Sequence, residues 1–211
     1  HLSIADIAPG MFQHTLTLSS CGKTFSATGW KVGWAIGPSH LVRAVSSVQQ
    51  WVNFSTPTPN QEAVAKCLER AHAPYNNNNN DGMESFSSYY DFLANEYKRK
   101  RNLLADALES VGMKPILPSG GFFILADISN LEFPYDEQEV TDAMPVYPMP
   151  RDWAASRWLT KEVGVTAIPP SAFYDKANVH LAKNTLRFAY CKGDDTIVNA
   201  RERLQSYFQS T

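Results

Sequence analysis

The sequence predicts an α/β chain in two parts, and three observations predict it. Short extended pieces joined by glycine and proline turns occupy the first third, one long amphipathic helix follows a run of asparagines, and strand-like and helical segments interleave beyond that helix. A length of 211 residues is enough for one large or two small domains. With 44% hydrophobic and 19% charged residues and a net charge of −2, bulk charge gives no reason to expect binding to nucleic acid or to a membrane surface. No apolar run approaches the roughly 18 residues of a membrane-spanning helix. Cys21, Cys67 and Cys191 are widely spaced and odd in number, which points to a reducing compartment. The five histidines lack metal-ligand spacing, so no metal is assigned. Ser3 and Ser20 lack the context of a hydrolase nucleophile.

In chain order, Thr15 to Leu18 alternates like a buried strand, and Ser19-Ser20-Cys21-Gly22 breaks it. Gly29 to Ile36 reads as a second strand, closed by Gly37-Pro38. Leu41, Val42, Val45 and Val48 place a helix over Ser39 to Gln50. Asn60 is a candidate N-cap for a helix through Ala71. The five asparagines from Asn76 to Asn80 cannot build a core and read as a mobile surface insertion near the domain boundary, with residues 1–72 before it and 73–211 after. Phe86, Tyr90, Leu93, Tyr97, Leu104, Leu108 and Val111 form one apolar stripe, so Ser85 to Val111 is the clearest helix, with Gly112 at its C-cap. Strands are expected at Lys114–Leu117, Phe122–Ile128, Val165–Ile168 and Thr185–Cys191, helices at Trp153–Val163 and Asp194–Phe208, and a loop over Leu131–Pro150. Lys98-Arg99-Lys100-Arg101 would be flagged as nucleic-acid binding, but four consecutive residues wrap all round a helix, and a solvated face is the better reading.

The informative stretch runs from Ser20 through Lys23 to Trp34. A lysine among Ser, Thr and Gly is ordinarily a solvated surface residue. Here Phe25, Trp30, Val32, Trp34 and Ile36 crowd around it, which argues for a loop held inside a packed site. A desolvated or cation-flanked amine is what imine chemistry needs. A phosphate needs hydroxyl donors and a fixed cation, and Ser20 and Lys31 stand three residues before and eight after Lys23.

Gly22-Lys23-Thr24-Phe25-Ser26-Ala27-Thr28-Gly29-Trp30-Lys31-Val32-Gly33-Trp34 closely resembles the lysine motif of the class I (fold-type I) pyridoxal-phosphate aminotransferases, in particular the kynurenine aminotransferase / cysteine-S-conjugate β-lyase subfamily. Further segments carry the likeness along the chain: Pro9-Gly10-Met11, Gly120-Gly121-Phe122-Phe123, Ala167-Ile168-Pro169-Pro170-Ser171-Ala172-Phe173-Tyr174 and Leu186-Arg187-Phe188-Ala189-Tyr190. The resemblance implies the C-terminal part of a large cofactor domain plus a complete small α/β domain. It implies pyridoxal 5'-phosphate as cofactor, with Lys23 as Schiff-base lysine and proton shuttle and with Ser20 and Lys31 on the phosphate. Many relatives carry arginine at the Lys31 position, whereas the named subfamily is similar to this chain in having lysine, a point charge rather than a fork. Arg187 would clamp the substrate α-carboxylate. Phe54 would reach the partner's site in a homodimer or be an ordinary core aromatic. Gly120 would keep the substrate edge open, and Phe173 would wall the substrate or be core.

The implied reaction transfers an amino group from an L-amino acid such as kynurenine or glutamine to a 2-oxo acid. β-Elimination from cysteine conjugates and a truncated, non-catalytic subunit are the alternatives. Other family groups (an aspartate, an asparagine, a tyrosine and a stacking aromatic) precede the lysine and are not identifiable here. The chain, beginning at His1, is therefore expected to be part of a longer protein, inactive alone and exposing apolar surface. A cytoplasmic or mitochondrial location is expected, with any targeting region outside this chain.

Overall fold

In the computed structural model, residues 2–79, 82–134 and 149–209 are described. The chain divides into two compact units, His1–Phe92 and Leu93–Thr211.

The first unit opens with two 3-10 turns, Ile4–Asp6 and Met11–His14. Strand β1 (Thr17–Ser20) pairs antiparallel with β2 (Gly33–Ile36), Ser20 facing Gly33. Between them lie the one-turn helix α1 (Cys21–Thr24) and a 3-10 turn at Thr28–Trp30. The expected second strand is thus shortened, because Lys31 adopts a left-handed conformation (φ 57°) that interrupts it. Nor is β1 a buried strand: Leu18, Ser19 and Ser20 are all exposed. Helix α2 (Ser39–Val52) carries the expected stripe, yet none of its residues is fully buried. Helix α3 (Thr58–Ala71) starts before Asn60, with Pro57 at the cap and Pro59 in the first turn, where a missing N–H costs nothing. The Asn60 side chain instead donates to the Trp30 carbonyl at 3.1 Å.

The asparagine run corrects a second expectation. Strand β3 (Tyr75–Asn79) and β4 (Gly82–Phe86) form an antiparallel hairpin rather than an irregular insertion, Asn80 lying outside the described residues. The pairing runs from Tyr75 to Asn79, and an aromatic cluster closes its base. Tyr75 pairs opposite Phe86, and both rings pack on Phe92, at 4.8 and 5.3 Å between centroids. Because β4 takes residues up to Phe86, helix α4 (Tyr89–Glu109) begins later than its apolar stripe suggested.

In the second unit, β5 (Lys114–Ile116), β6 (Phe123–Asp127) and β7 (Thr185–Ala189) make one antiparallel sheet in that order. Helix α5 (Arg151–Trp158) continues as a π turn, Leu159–Val163, and helix α6 is Asp194–Gln209. Leu104 and Leu108 of α4, Trp158 of α5, Leu204 of α6 and Ile124, Leu186 and Phe188 of the sheet share one core. Gly112 takes the left-handed C-terminal position (φ 82°), as expected. Val165 to Ile168 does not form a strand of its own; only Ile168 bridges to Arg187 of β7, since Pro169 and Pro170 end the pairing at once. Of the Leu131–Pro150 loop, residues 135–148 lie outside the described residues, and the rest carries no regular structure.

Candidate functional site

Lys23 sits in α1, directly after β1. The loop that bears it is anchored on one side by Cys21 and Val32, buried together with Val64 of α3. The Cys21 N–H donates to the Val32 carbonyl at 3.2 Å. Ser20 and Lys31 adjoin the two ends of this bond, so strand pairing brings them to the mouth of one loop. Gly33 is needed for that approach: a β-carbon there would lie 3.1 Å from the Ser19 carbonyl oxygen. A β-carbon at Gly22 would sit 3.7 Å from Ser20 Oγ and 3.5 Å from Thr28 Cα, so its absence leaves a cradle beside the hydroxyl. Ser20 occupies the cap position of α1 without spending its hydroxyl on a capping bond.

Within this chain Ser20, Lys23 and Lys31 are all exposed, so the loop is packed on one side. Burial is one-sided: Cys21 and Val32 point inward, the polar residues outward. A hydroxyl beside a glycine cradle, with two exposed lysines on the same short loop, supplies the donor types that a small aldehyde bearing a phosphate needs: one amine, one cation and a hydroxyl.

Phe54 follows α2 in a left-handed conformation (φ 60°), its N–H donating to the Gln49 carbonyl at 3.2 Å. It is 89% exposed, so it is not a core aromatic of this chain. It lines a cavity of about 480 Å³ that also takes in Lys31, Gly33, Trp34, Asn53 and Ser55.

In the second unit, the structure brings Arg187 and Phe173 together. The guanidinium carbon lies 4.2 Å from the Phe123 ring centre and 4.4 Å from that of Phe173. Nε of Arg187 is enclosed without a hydrogen-bond partner, and no carboxylate among the described residues forms an ion pair with it. A half-buried cation between two rings is set to receive an anion, and a planar fork suits a carboxylate. Phe173 is exposed, so it is not a core aromatic of the described residues. Phe123 was not singled out from the sequence. Leu125 lies opposite Arg187, which makes Phe123 its diagonal neighbour across the strands, a relation visible only once the register is known. A β-carbon at Gly120 would meet nothing within 4 Å, and Gly120 edges a separate cavity of about 340 Å³ with Tyr97, Arg101 and Tyr190. The Tyr190 hydroxyl donates to the Gly121 carbonyl at 2.8 Å, and burial pushes its pKa up, which keeps it a donor.

The basic run resolves into separate tasks. Arg99 forms ion pairs with Glu96 and Asp194 at 2.8 Å, and Lys100 reaches Glu96 at 3.0 Å. Arg101 donates to the Pro118 carbonyl. The hydrogen bond from Arg99 pulls the carboxyls of Glu96 and Asp194 below their ordinary range.

Residues 3–204 match the family of class I and II aminotransferases. The chain belongs to that family. This aminotransferase chain is 41% identical over 196 residues to the kynurenine–oxoglutarate transaminase of Dictyostelium discoideum, covering 93% of this chain and 42% of that protein. It is 36% identical over 207 residues to human kynurenine–oxoglutarate transaminase 1, covering 98% and 46%. The chain therefore spans somewhat under half the length of these relatives. Among solved structures, Bna3p of Saccharomyces cerevisiae superposes with a TM-score of 0.84 at 31% identity, over all of this chain and 46% of that one. N-Succinyldiaminopimelate aminotransferase of Mycobacterium tuberculosis gives 0.77 at 32%, over 98% and 45%. The α/β fold is thus part of an aminotransferase fold.

Proposed function

We propose that this chain is the C-terminal portion of a pyridoxal-phosphate-dependent aminotransferase that moves an amino group from an L-amino acid of the kynurenine or glutamine kind to a 2-oxo acid. The observation that carries this reading is Arg187, a guanidinium stacked between Phe123 and Phe173 with its Nε enclosed and unpartnered, in a chain that also bears the lysine loop. The names of the relatives support kynurenine as donor and 2-oxoglutarate as acceptor. When bound, the cofactor supplies an electron sink for the bonds at the substrate α-carbon. Lys23 holds it through its Nζ and then carries the proton to and from that carbon. Ser20 donates its hydroxyl to the phosphate, and Lys31 supplies the counter-charge. Arg187 orients the substrate by its carboxylate, with Phe173 as wall and Gly120 leaving the approach open. In this reading residues 1–72 belong to the cofactor domain and 73–211 to the substrate-side domain.

Phe54, exposed beside the cavity that includes Lys31, is read as reaching the second subunit of a homodimer. The chain spans somewhat under half the length of its relatives and is read as inactive alone. The three cysteines, all free, support a cytoplasmic or mitochondrial location. The test uses the protein extended to the length of its relatives. Borohydride trapping and peptide mapping should place the cofactor adduct on Lys23, and kynurenine with 2-oxoglutarate should yield glutamate. An adduct elsewhere, or pyruvate and thiol from cysteine conjugates as the sole products, would overturn it.

A further inference from the structure

Asp152 is fully buried in the first turn of α5. A buried carboxylate is expensive unless it organises something. Its Oδ2 accepts the backbone N–H of Ser171 at 2.9 Å, while Oδ1 has no partner. One helical turn on, and on the same face, Ser156 donates its hydroxyl to the Ala167 carbonyl at 2.6 Å. These two side chains clamp the segment from Ala167 to Ser171 at both ends. Between the clamps, Ile168 exchanges backbone hydrogen bonds with Arg187 at 3.0 Å in each direction. Immediately beyond, the 3-10 turn Pro170–Phe173 delivers Phe173 to the Arg187 guanidinium. Pro170 and Ser171 of the turn are buried, whereas Ala172, Phe173 and Tyr174 beyond them are exposed. Pro169 and Pro170 carry no backbone donor, so the Ser171 N–H is the first after them, and Asp152 accepts it.

We propose that Asp152 is a positioning residue for substrate carboxylate binding, acting through the Ser171 N–H to hold Phe173 over Arg187. The proposal rests on the reading of Arg187 given above. It separates α5 from a merely structural helix: the aspartate touches no substrate, yet it sets how well the guanidinium is enclosed on one side. Ser156 fastens the strand-like segment, and Asp152 fastens the turn that follows the prolines.

The test compares Asp152→Ala with Asp152→Asn in the protein extended to the length of its relatives. Removing the acceptor should raise KM for both amino acid and 2-oxo acid about tenfold with kcat within about twofold, whereas asparagine keeps an acceptor oxygen and should restore KM to within about twofold of wild type. Amide hydrogen exchange should quicken from Ser171 to Tyr174 in the alanine variant and not in the asparagine variant. If Asp152→Ala does not fold, Ser171→Pro removes the donated N–H and carries the same expectation. Unchanged KM with faster exchange, a loss confined to kcat, or an asparagine variant as impaired as alanine would overturn the proposal. Absence of transamination in the wild type, or Arg187→Ala without effect on KM, would instead remove the reading of Arg187, and the exchange rates would still report whether Asp152 holds the turn.

Discussion

The two units differ in how they treat their apolar residues. The second encloses Leu104, Leu108, Ile124, Leu186 and Leu204 in one core shared by a sheet and three helices. Among the described residues, the first buries a small cluster of Cys21, Val32 and Val64, and Ala71 besides, and leaves Leu18, Ile36, Val48, Trp51, Val52 and Phe54 in solvent. Scattered exposed apolar residues are ordinary, but a helix stripe without a single buried member is not. Among the described residues, the second unit encloses a large shared core, whereas the first leaves many of its large apolar side chains in solvent. Function divides along the same line: the proposed cofactor residues lie on the open unit, and the proposed carboxylate site on the closed one.

That contrast can be broken at four points. The largest effect is expected at the lysine. Lys23→Ala in the extended protein should abolish cofactor retention and turnover, while Arg187→Ala should keep the cofactor spectrum and raise KM on the order of 100-fold, consistent with loss of a charge-assisted bidentate contact. Equal loss of cofactor in both would dissolve the division. Next, Leu108→Ala should destabilise this chain by about 3 kcal/mol in urea titration. Trp51→Ser, at a residue 84% exposed, should change it by no more than about 0.5 kcal/mol. A large loss at Trp51 would mean that the first unit covers its stripe after all. An effect smaller than that at Leu108 sharpens the second unit alone. Arg99→Ala should cost up to about 1 kcal/mol at low salt, since the pair with Asp194 is half exposed. Its sign with pH is set by the lowered carboxyls of Glu96 and Asp194. Their contribution is complete above their unfolded pKa values of about 4 and is lost as pH falls through the lower folded values. The gap between wild type and variant should therefore close in acid, as measured by thermal melts across pH.

Periodicity proved a good guide where local chemistry and packing agree. The α2 stripe, the C-cap at Gly112 and the β6 and β7 strands lie close to where their patterns place them. It misled where a distant partner decides. Asparagines have no strand preference, yet Tyr75 and Phe86, at the base of a hairpin that takes in Asn76 to Asn79, pack on Phe92. The stripe from Phe86 onward reads as helix, but Phe86 is claimed by that hairpin. In the site, Ser20, Lys23 and Lys31 are legible as a spaced motif, and Arg187 as a motif arginine. Phe123 and Asp152 are not, because one depends on strand register and the other on which buried N–H its helix happens to face.

By itself, then, the chain's sequence determined an α/β architecture, the lysine loop and the family to which they belong, because glycine spacing, capping and apolar period act over a few residues. Only the tertiary structure decided that the lysine loop is buried on one side and open on the other, that Arg187 lies against two rings with no ion pair among the described residues, and that a buried aspartate accepts the Ser171 N–H beside one of those rings. Those are properties of surfaces meeting across long sequence separations, where register and burial, rather than local preference, set the energy.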